Sequence, residues 1–410
     1  MKILHVLTQL PAKTGSGVYF SNLIESLRNL GIENAAIFGT EEKHASLIDV
    51  HAEIVEPVYY DTPEMPFHIC GMSDEMPYDS TIYSEMSEDE IDVLLKNFRE
   101  KLEKMKKEFE PDIVISHHLF LLTDLVREVF DDRKVVGICH GTDIRQVLKH
   151  EKFLKRLTHI KDLDAVLTVT PAEHKEIEEI LKVDKNKIHL VGGGYNENVF
   201  YPPTEAKKDE KIRIMYAGKI TESKGIYALA ATLPYIEKKH ENVELHIVGK
   251  STKEERDKII MEANYSEKLM IYNAENQKLM ADHLRESDIF VLPSYFEALG
   301  LIAVEALACH KLVVASDISG LKKLLGDELI NTGIIEFTKL PRLYDVDKPY
   351  TEDIHAYVER LAENILKQIG RINDGIFTDE ISEKIENFAW KNIGKRIYEI
   401  IKGSIISMGE

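Results

Sequence analysis

Apolar residues in this chain follow two rhythms. Short runs such as 3–7 and 35–38 fit strands buried on both faces. Between them Val18, Tyr19, Leu23, Ile24, Leu27 and Leu30 recur at helical spacing, and Gly31 follows as a stop. That is a βαβ unit, which implies a parallel sheet flanked by helices. Further buried strands are expected at 113–116, 135–139, 166–170 and 188–191. Ahead of the first of these, Ile91, Leu94, Leu95, Phe98, Leu102, Met105 and Phe109 form one apolar stripe. Ser87 and Glu90 fit a capping box at its start, and Pro111 marks its end.

The pattern breaks at Gly192-Gly193-Gly194-Tyr195 through Pro202-Pro203, and a charged stretch follows to Lys211. This is the expected domain boundary. A second alternating series then begins, with strands expected at 212–217, 243–248, 270–272, 289–292 and 312–315. The pattern predicts an α/β protein of two doubly wound, Rossmann-like halves facing a central cleft. Open parallel sheets bind ligands beyond the carboxyl ends of their strands.

Length agrees, since 410 residues exceed one ordinary domain. A hydrophobic share of 44% and a charged share of 30% suit a globular chain. The net charge of −19, from 52 basic and 71 acidic residues, argues against a nucleic-acid partner and against attachment to anionic lipid by overall charge. Cys70, Cys139 and Cys309 lie far apart with no CxxC spacing, so reduced thiols and a cytoplasmic location are expected. The first residues lack the apolar run of a signal peptide, and no stretch approaches the ~20 apolar residues of a membrane span.

Three segments carry candidate chemistry. Thr14-Gly15-Ser16-Gly17 follows the first strand and opens the first helix. Its glycines would let backbone approach a bulky anion at a helix N-terminus, although a tight turn alone fits it equally well. The third glycine of GxGxxG is missing, so it is no dinucleotide fingerprint. Gly218 to Gly225 leaves the first strand of the second half and carries Lys219 and Lys224, two cations able to neutralise a pyrophosphate. The third segment runs from Pro293 through Ser294, Glu297, Ala298, Leu299, Gly300 and Leu301 to Glu305. A helix is expected to begin near Glu297, which would place Glu297 and Glu305 about 12 Å apart along its axis. One carboxylate would take sugar hydroxyls and the other a ribose.

This stretch resembles the PS-x-x-E-x-x-G-L-x-x-x-E-A pattern of glycosyltransferase family 4. The glycine loop, the K-x-x-x-x-KG exit, the interdomain GGGYNENVFYPP and the late Phe388-Ala389-Trp390 extend the resemblance over nearly the whole chain. It implies a GT-B fold with an acceptor-binding domain at 1–200, a nucleotide-sugar-binding domain at 201–385, and a terminal helix at 386–410 crossing back onto the first domain. It implies that Glu297 contacts the donor sugar, Glu305 the ribose, and Lys219 and Lys224 the diphosphate. The amides of Ala298, Leu299, Gly300 and Leu301 would assist, and Gly15 and Gly17 would let the first domain approach the phosphates. His140, in Cys139-His140-Gly141-Thr142-Asp143, matches the family's histidine near the reacting sugar. His140, Glu297 and Lys224 are thus the catalytic candidates. Three positions depart from the family pattern: Lys219 stands for arginine, Gly193 for asparagine, and Asp317 to Gly320 lacks paired glycines.

The resemblance further implies transfer with retention, no metal and no cofactor. The expected donor is a UDP-sugar, with GDP as the alternative. The acceptor class is a small molecule, a glycan or a lipid-linked sugar. Arg145 is a candidate contact for an anionic acceptor, against the plain reading of a surface arginine. His117, His118 and His140 end two strands without the spacing of a zinc site. Asp162–Asp164 and Asp345–Asp347 imitate a metal-binding DxD but are expected to be surface charge. The lysines of the helix ending at Phe109 alternate with Glu100, Glu103 and Glu108, which favours a solvated face over a membrane contact. The rival readings are a nucleotide-sugar 2-epimerase of the same fold and a non-catalytic partner subunit.

Overall fold

The computed structural model describes residues 1–406 apart from 75, 206 and 208; the last residues of the expected terminal helix and two of the charged linker lie outside the described residues. The chain forms two compact units, residues 1–193 with the chain from Trp390 onward, and Gly194–Ala389.

The first unit holds a seven-stranded parallel sheet. Its strands are β1 (Lys2–Leu7), β2 (Glu33–Thr40), β3 (Ile54–Tyr59), β4 (Ile113–His117), β5 (Lys134–Cys139), β6 (Ala165–Thr168) and β7 (Ile188–Leu190). Their order is β3-β2-β1-β4-β5-β6-β7. The second unit holds a six-stranded parallel sheet of β8 (Ile212–Ala217), β9 (Val243–Val248), β10 (Leu269–Tyr272), β11 (Ile289–Leu292), β12 (Leu312–Ser316) and β13 (Ile335–Thr338). Its order is β10-β9-β8-β11-β12-β13. Each sheet reverses its winding once, between β1 and β4 and between β8 and β11. Loops leaving such neighbours turn to opposite faces and open a crevice at the carboxyl ends.

Two strands of these large sheets were not anticipated. β3 is an edge strand containing Pro57, whose missing N–H is tolerated only there. β13 is short and interrupted by Glu336, which is partnered by Lys367 at 2.7 Å and Arg371 at 2.5 Å. Val18 and Leu30 were expected on the buried stripe of the first helix, Gly15–Asn29, but are 37% and 36% exposed because they flank rather than sit on it.

The helix Glu88–Glu108 starts at the expected capping box, with Glu90 N donating to Ser87 Oγ at 3.2 Å and Ser87 N donating to Glu90 Oε2 at 2.8 Å. Its lysines pair with acids of the same unit: Lys101 Nζ lies 2.9 Å and Lys104 Nζ 2.5 Å from Glu56. Asp164, expected as surface charge, instead bridges Arg127 at 2.9 Å and Lys134 at 3.1 Å just before β6.

The helix Trp390–Ile406 packs on the first sheet. Trp390, Ile393, Ile397 and Ile401 join Ile3, Tyr19, Leu23 and Leu27 in one apolar cluster. Burying each such side chain stabilises by about 1.5–3 kcal/mol. Contact with the helix Gly15–Asn29 is close: Ser26 Oγ donates to Trp390 O at 2.8 Å, and a Cβ on Gly394 would lie 2.0 Å from Ser26 Oγ.

Candidate active site

In the second unit the loops leaving β8 and β11 are stitched together. Gly225 takes φ +67°, and a Cβ there would lie 2.0 Å from Pro293 O, so only glycine fits. Tyr295 N donates to Ser223 O at 2.9 Å. Tyr216 Oη donates to Lys219 O at 2.6 Å, and Tyr357 Oη to Pro293 O at 3.0 Å. These contacts bring Lys224 Nζ to 2.6 Å from Glu297 Oε1, which also accepts from Ser294 Oγ at 3.0 Å. Lys219 stands exposed on the same loop.

The expected helix start is corrected here. The helix begins at Leu301, not near Glu297, because Gly300 at its N-cap takes the left-handed φ of +66°. Glu297, Ala298 and Leu299 therefore lie in the preceding loop, and the separation of Glu297 from Glu305 is not a distance along one helix. The unpaired first-turn amides are those of Leu301 and Ile302; Ala303 N already donates to Gly300 O at 2.9 Å. Glu305 lies on the second turn, partly covered, and burial pushes its carboxyl up to about 7. Among the described residues no side chain pairs with it.

Beside this loop a concavity of about 440 Å³ opens at the ends of β8, β9 and β10, lined by Lys219, Thr221, Gly249, Lys250, Asn273 and Met280 among others. Apart from Lys219 and Thr221, which lie in the Gly218–Gly225 segment, sequence reasoning missed these residues. The available signal was Val248-Gly249-Lys250, a glycine at a strand exit. A Cβ on Gly249 would lie 2.2 Å from Gly218 O, so the side chain is omitted where two loops touch.

In the first unit the glycine loop resolves into two different glycines. Gly17 is required by packing, since a Cβ would lie 2.6 Å from Leu10 O, and its N–H is spent on Thr14 Oγ1 at 3.0 Å. Packing alone thus accounts for glycine at position 17. Gly15, at the first helical position, has open space where a Cβ would stand.

The histidines gather at the ends of β4 and β5. His117 Nδ1 and His140 Nε2 are 3.2 Å apart, and the His118 ring centroid is 4.7 Å from that of His140. Asp143 accepts from Leu119 N at 2.8 Å and His140 N at 3.3 Å, tying the two loops together. Burial lowers His140 to about 3, so it is neutral at physiological pH. Beyond β6, Glu173 accepts from Val169 N at 3.1 Å and Thr170 N at 3.0 Å, and burial raises it to about 7. Arg145 is exposed on the helix Thr142–Lys149.

A family model of group 1 glycosyl transferases matches residues 198–341, and one of Glycosyltransferase Family 4 matches residues 80–199. A sucrose-phosphate synthase of Thermosynechococcus elongatus superposes with a TM-score of 0.70 at 17% identity, over 99% of this chain and 100% of that one. An Anabaena protein solved with UDP and glucose gives 0.63 at 14% identity, over 98% and 100%. The fold is therefore GT-B. The chain belongs to glycosyltransferase family 4, as the two adjoining family matches show. An uncharacterised glycosyltransferase of Methanocaldococcus jannaschii is 23% identical over 258 residues, 60% of this chain and 61% of that protein. The chain spans about three-fifths of the length of the curated relatives it matches. No described helix is long and apolar enough to cross a membrane.

Proposed function

We propose that the protein transfers a hexose from a nucleoside diphosphate sugar, with UDP as the nucleoside diphosphate, to an acceptor hydroxyl with retention and without a metal. The observation that carries this reading is the Lys224–Glu297 pair, 2.6 Å apart, on two loops locked together at the point where the second sheet reverses. A cation and a carboxylate fixed before the donor arrives need no reorganisation when charge develops.

In this reading Lys219, Lys224 and the amides of Leu301 and Ile302 hold the diphosphate. Glu297 accepts from sugar hydroxyls and Glu305 from the ribose, and the concavity beside Gly249 takes the base. The anomeric carbon–phosphate oxygen bond breaks as the acceptor oxygen bonds to the same face. The acceptor's proton passes to the departing phosphate oxygen, so no side-chain nucleophile is needed. In the same reading Gly15 leaves room for the phosphates, His140 acts near the reacting sugar, and Arg145 would meet an anionic acceptor.

The test is a thermal-shift panel of UDP, GDP, ADP and their common sugar conjugates, with magnesium and with EDTA. A shift for UDP and its conjugates, lost in Glu305→Ala and unchanged by EDTA, is expected. No shift with any nucleotide overturns the reading in favour of a non-catalytic subunit. Conversion of the donor's sugar to its 2-epimer in the absence of any acceptor overturns it in favour of the epimerase.

A further inference from the structure

We infer that His117 is a positioning residue for His140: it occupies the Nε2 of that ring, holds it as the Nδ1–H tautomer, and so makes the group His140 offers to a ligand a hydrogen-bond donor. The consequence for transfer rests on the proposed function; the tautomer does not.

The geometry is that of an in-line bond between two rings. The ring planes differ by 15° and the centroids are 5.3 Å apart, while the nitrogens are 3.2 Å apart. The remainder of the centroid distance is about two imidazole radii, so the rings meet edge to edge rather than face to face. The scaffold holds them there. Asp143 ties the loops after β4 and β5 through Leu119 N and His140 N, and His118 N donates to Ile138 O at 2.9 Å with His118 at φ +68°. Tyr19 packs edge-on to His140 at 5.2 Å between centroids.

Burial keeps both rings neutral, so each carries one N–H and one of the two nitrogens must donate. If His140 donated, His117 would carry its own proton on Nε2. That atom is buried with no hydrogen-bond partner among the described residues, on a ring whose centroid lies 5.1 Å from that of Phe20. A sealed N–H without an acceptor is the rarer and costlier defect; an unused lone pair is the milder one. His117 therefore donates from Nδ1, which leaves the proton of His140 on Nδ1. His140 remains partly exposed, and its Nδ1 has no partner among the described residues. A neutral donor there suits a sugar hydroxyl or ring oxygen acting as acceptor.

The experiment is a long-range proton–nitrogen correlation spectrum of the full-length, ligand-free protein labelled with 15N-histidine, with His140 assigned by the loss of its signals in His140→Gln. A protonated Nδ1 and a bare Nε2 are expected. In His117→Phe, which keeps a ring against Phe20, the two nitrogens should drift toward a tautomer average; His117→Asn, whose amide can present a donor near the Nδ1 position, should restore the wild-type pattern. Transfer by His117→Phe should fall about tenfold in kcat/KM, the scale of one lost hydrogen bond, with the nucleotide thermal shift unchanged. An Nε2–H tautomer in the wild type, or a His117→Phe spectrum identical to it, overturns the inference. If His117→Phe does not fold, the wild-type spectrum still decides. Absence of any nucleotide shift would remove the transferase reading and leave the tautomer result standing.

Discussion

A carboxylate that burial raises to about 7 with no cation paired to it among the described residues, as Glu305 is, weakens the ligand-free protein whenever it ionises. Its folded pKa lies above the ordinary value of 4.5, so its contribution to stability is full below pH 4.5 and is lost as pH rises through about 7. Glu305→Gln suffers no such loss. The variant should therefore gain on the wild type between those limits and hold a constant advantage of about 1–3 kcal/mol above them. Urea unfolding at pH 5 and pH 8 checks this, and the same variant should lose the nucleotide thermal shift. A residue that is costly without ligand and needed with it is expected at a binding site. The Lys224–Glu297 pair behaves differently. Its side chains are 27% and 23% exposed, so Lys224→Ala should cost only about 1 kcal/mol of stability. If the proposed function holds, with this cation on the diphosphate, the substitution should lower kcat by about 10²–10³-fold. A stability loss that tracks the activity loss would instead make Lys224 merely structural. Lys224 was legible as a loop residue from its distance to a strand end, whereas Glu297 was expected at a helix start and lies in the loop before it. The contact of His117 with His140 was not legible, since it depends on β4 and β5 being neighbours in the sheet, and strand order is not written locally.

At the scale of elements, the alternation of buried runs with amphipathic stretches located most strands, because a strand covered on both faces must be apolar throughout. It failed where coverage is one-sided. β3 lies at an edge with Pro57 and Glu56 in it, and β13 breaks its apolar run at Glu336. It also failed at the start of the helix Leu301–Ala308. Glu297 to Leu299 suits a helix by composition, and only the left-handed turn at Gly300 postpones it. The late helix was expected only from the family resemblance, as one crossing back onto the first domain; which residues Trp390–Ile406 meets there was not legible. That surface admits a test. Gly394→Ala would drive a methyl group into Ser26 and break its bond to Trp390 O, at a cost of about 1–3 kcal/mol in urea unfolding. Adding Ser26→Gly should recover part of that loss despite the helix penalty of glycine, about 1 kcal/mol. Additive losses in the double variant would show that the two helices do not meet at that point.

Each unit carries its own sheet and its own apolar clusters, yet the units differ in continuity. The second is one unbroken stretch, Gly194–Ala389, whose clusters draw only on residues of that stretch. The first is split in sequence and depends on the helix from Trp390 to cover Ile3, Tyr19, Leu23 and Leu27. A fragment of residues 194–389 should therefore fold alone, unfold in a single cooperative transition and keep the UDP-dependent thermal shift with its sensitivity to Glu305→Ala, while showing no transfer. Residues 1–193 alone expose an apolar face and should aggregate. The two ends of the second unit run side by side, since Tyr195 N donates to Phe388 O at 3.0 Å. A short glycine-serine linker from Gly193 to Trp390 should then return the last helix to its surface and make the first unit soluble and cooperative. Size-exclusion chromatography and circular dichroism melts of the three fragments decide the matter. If residues 1–193 are soluble and cooperative without the last helix, the apolar cluster does not hold the first unit together. If 194–389 folds but binds no nucleotide, the donor contacts proposed for Lys219, Lys224, Glu297 and Glu305 are insufficient without the first unit.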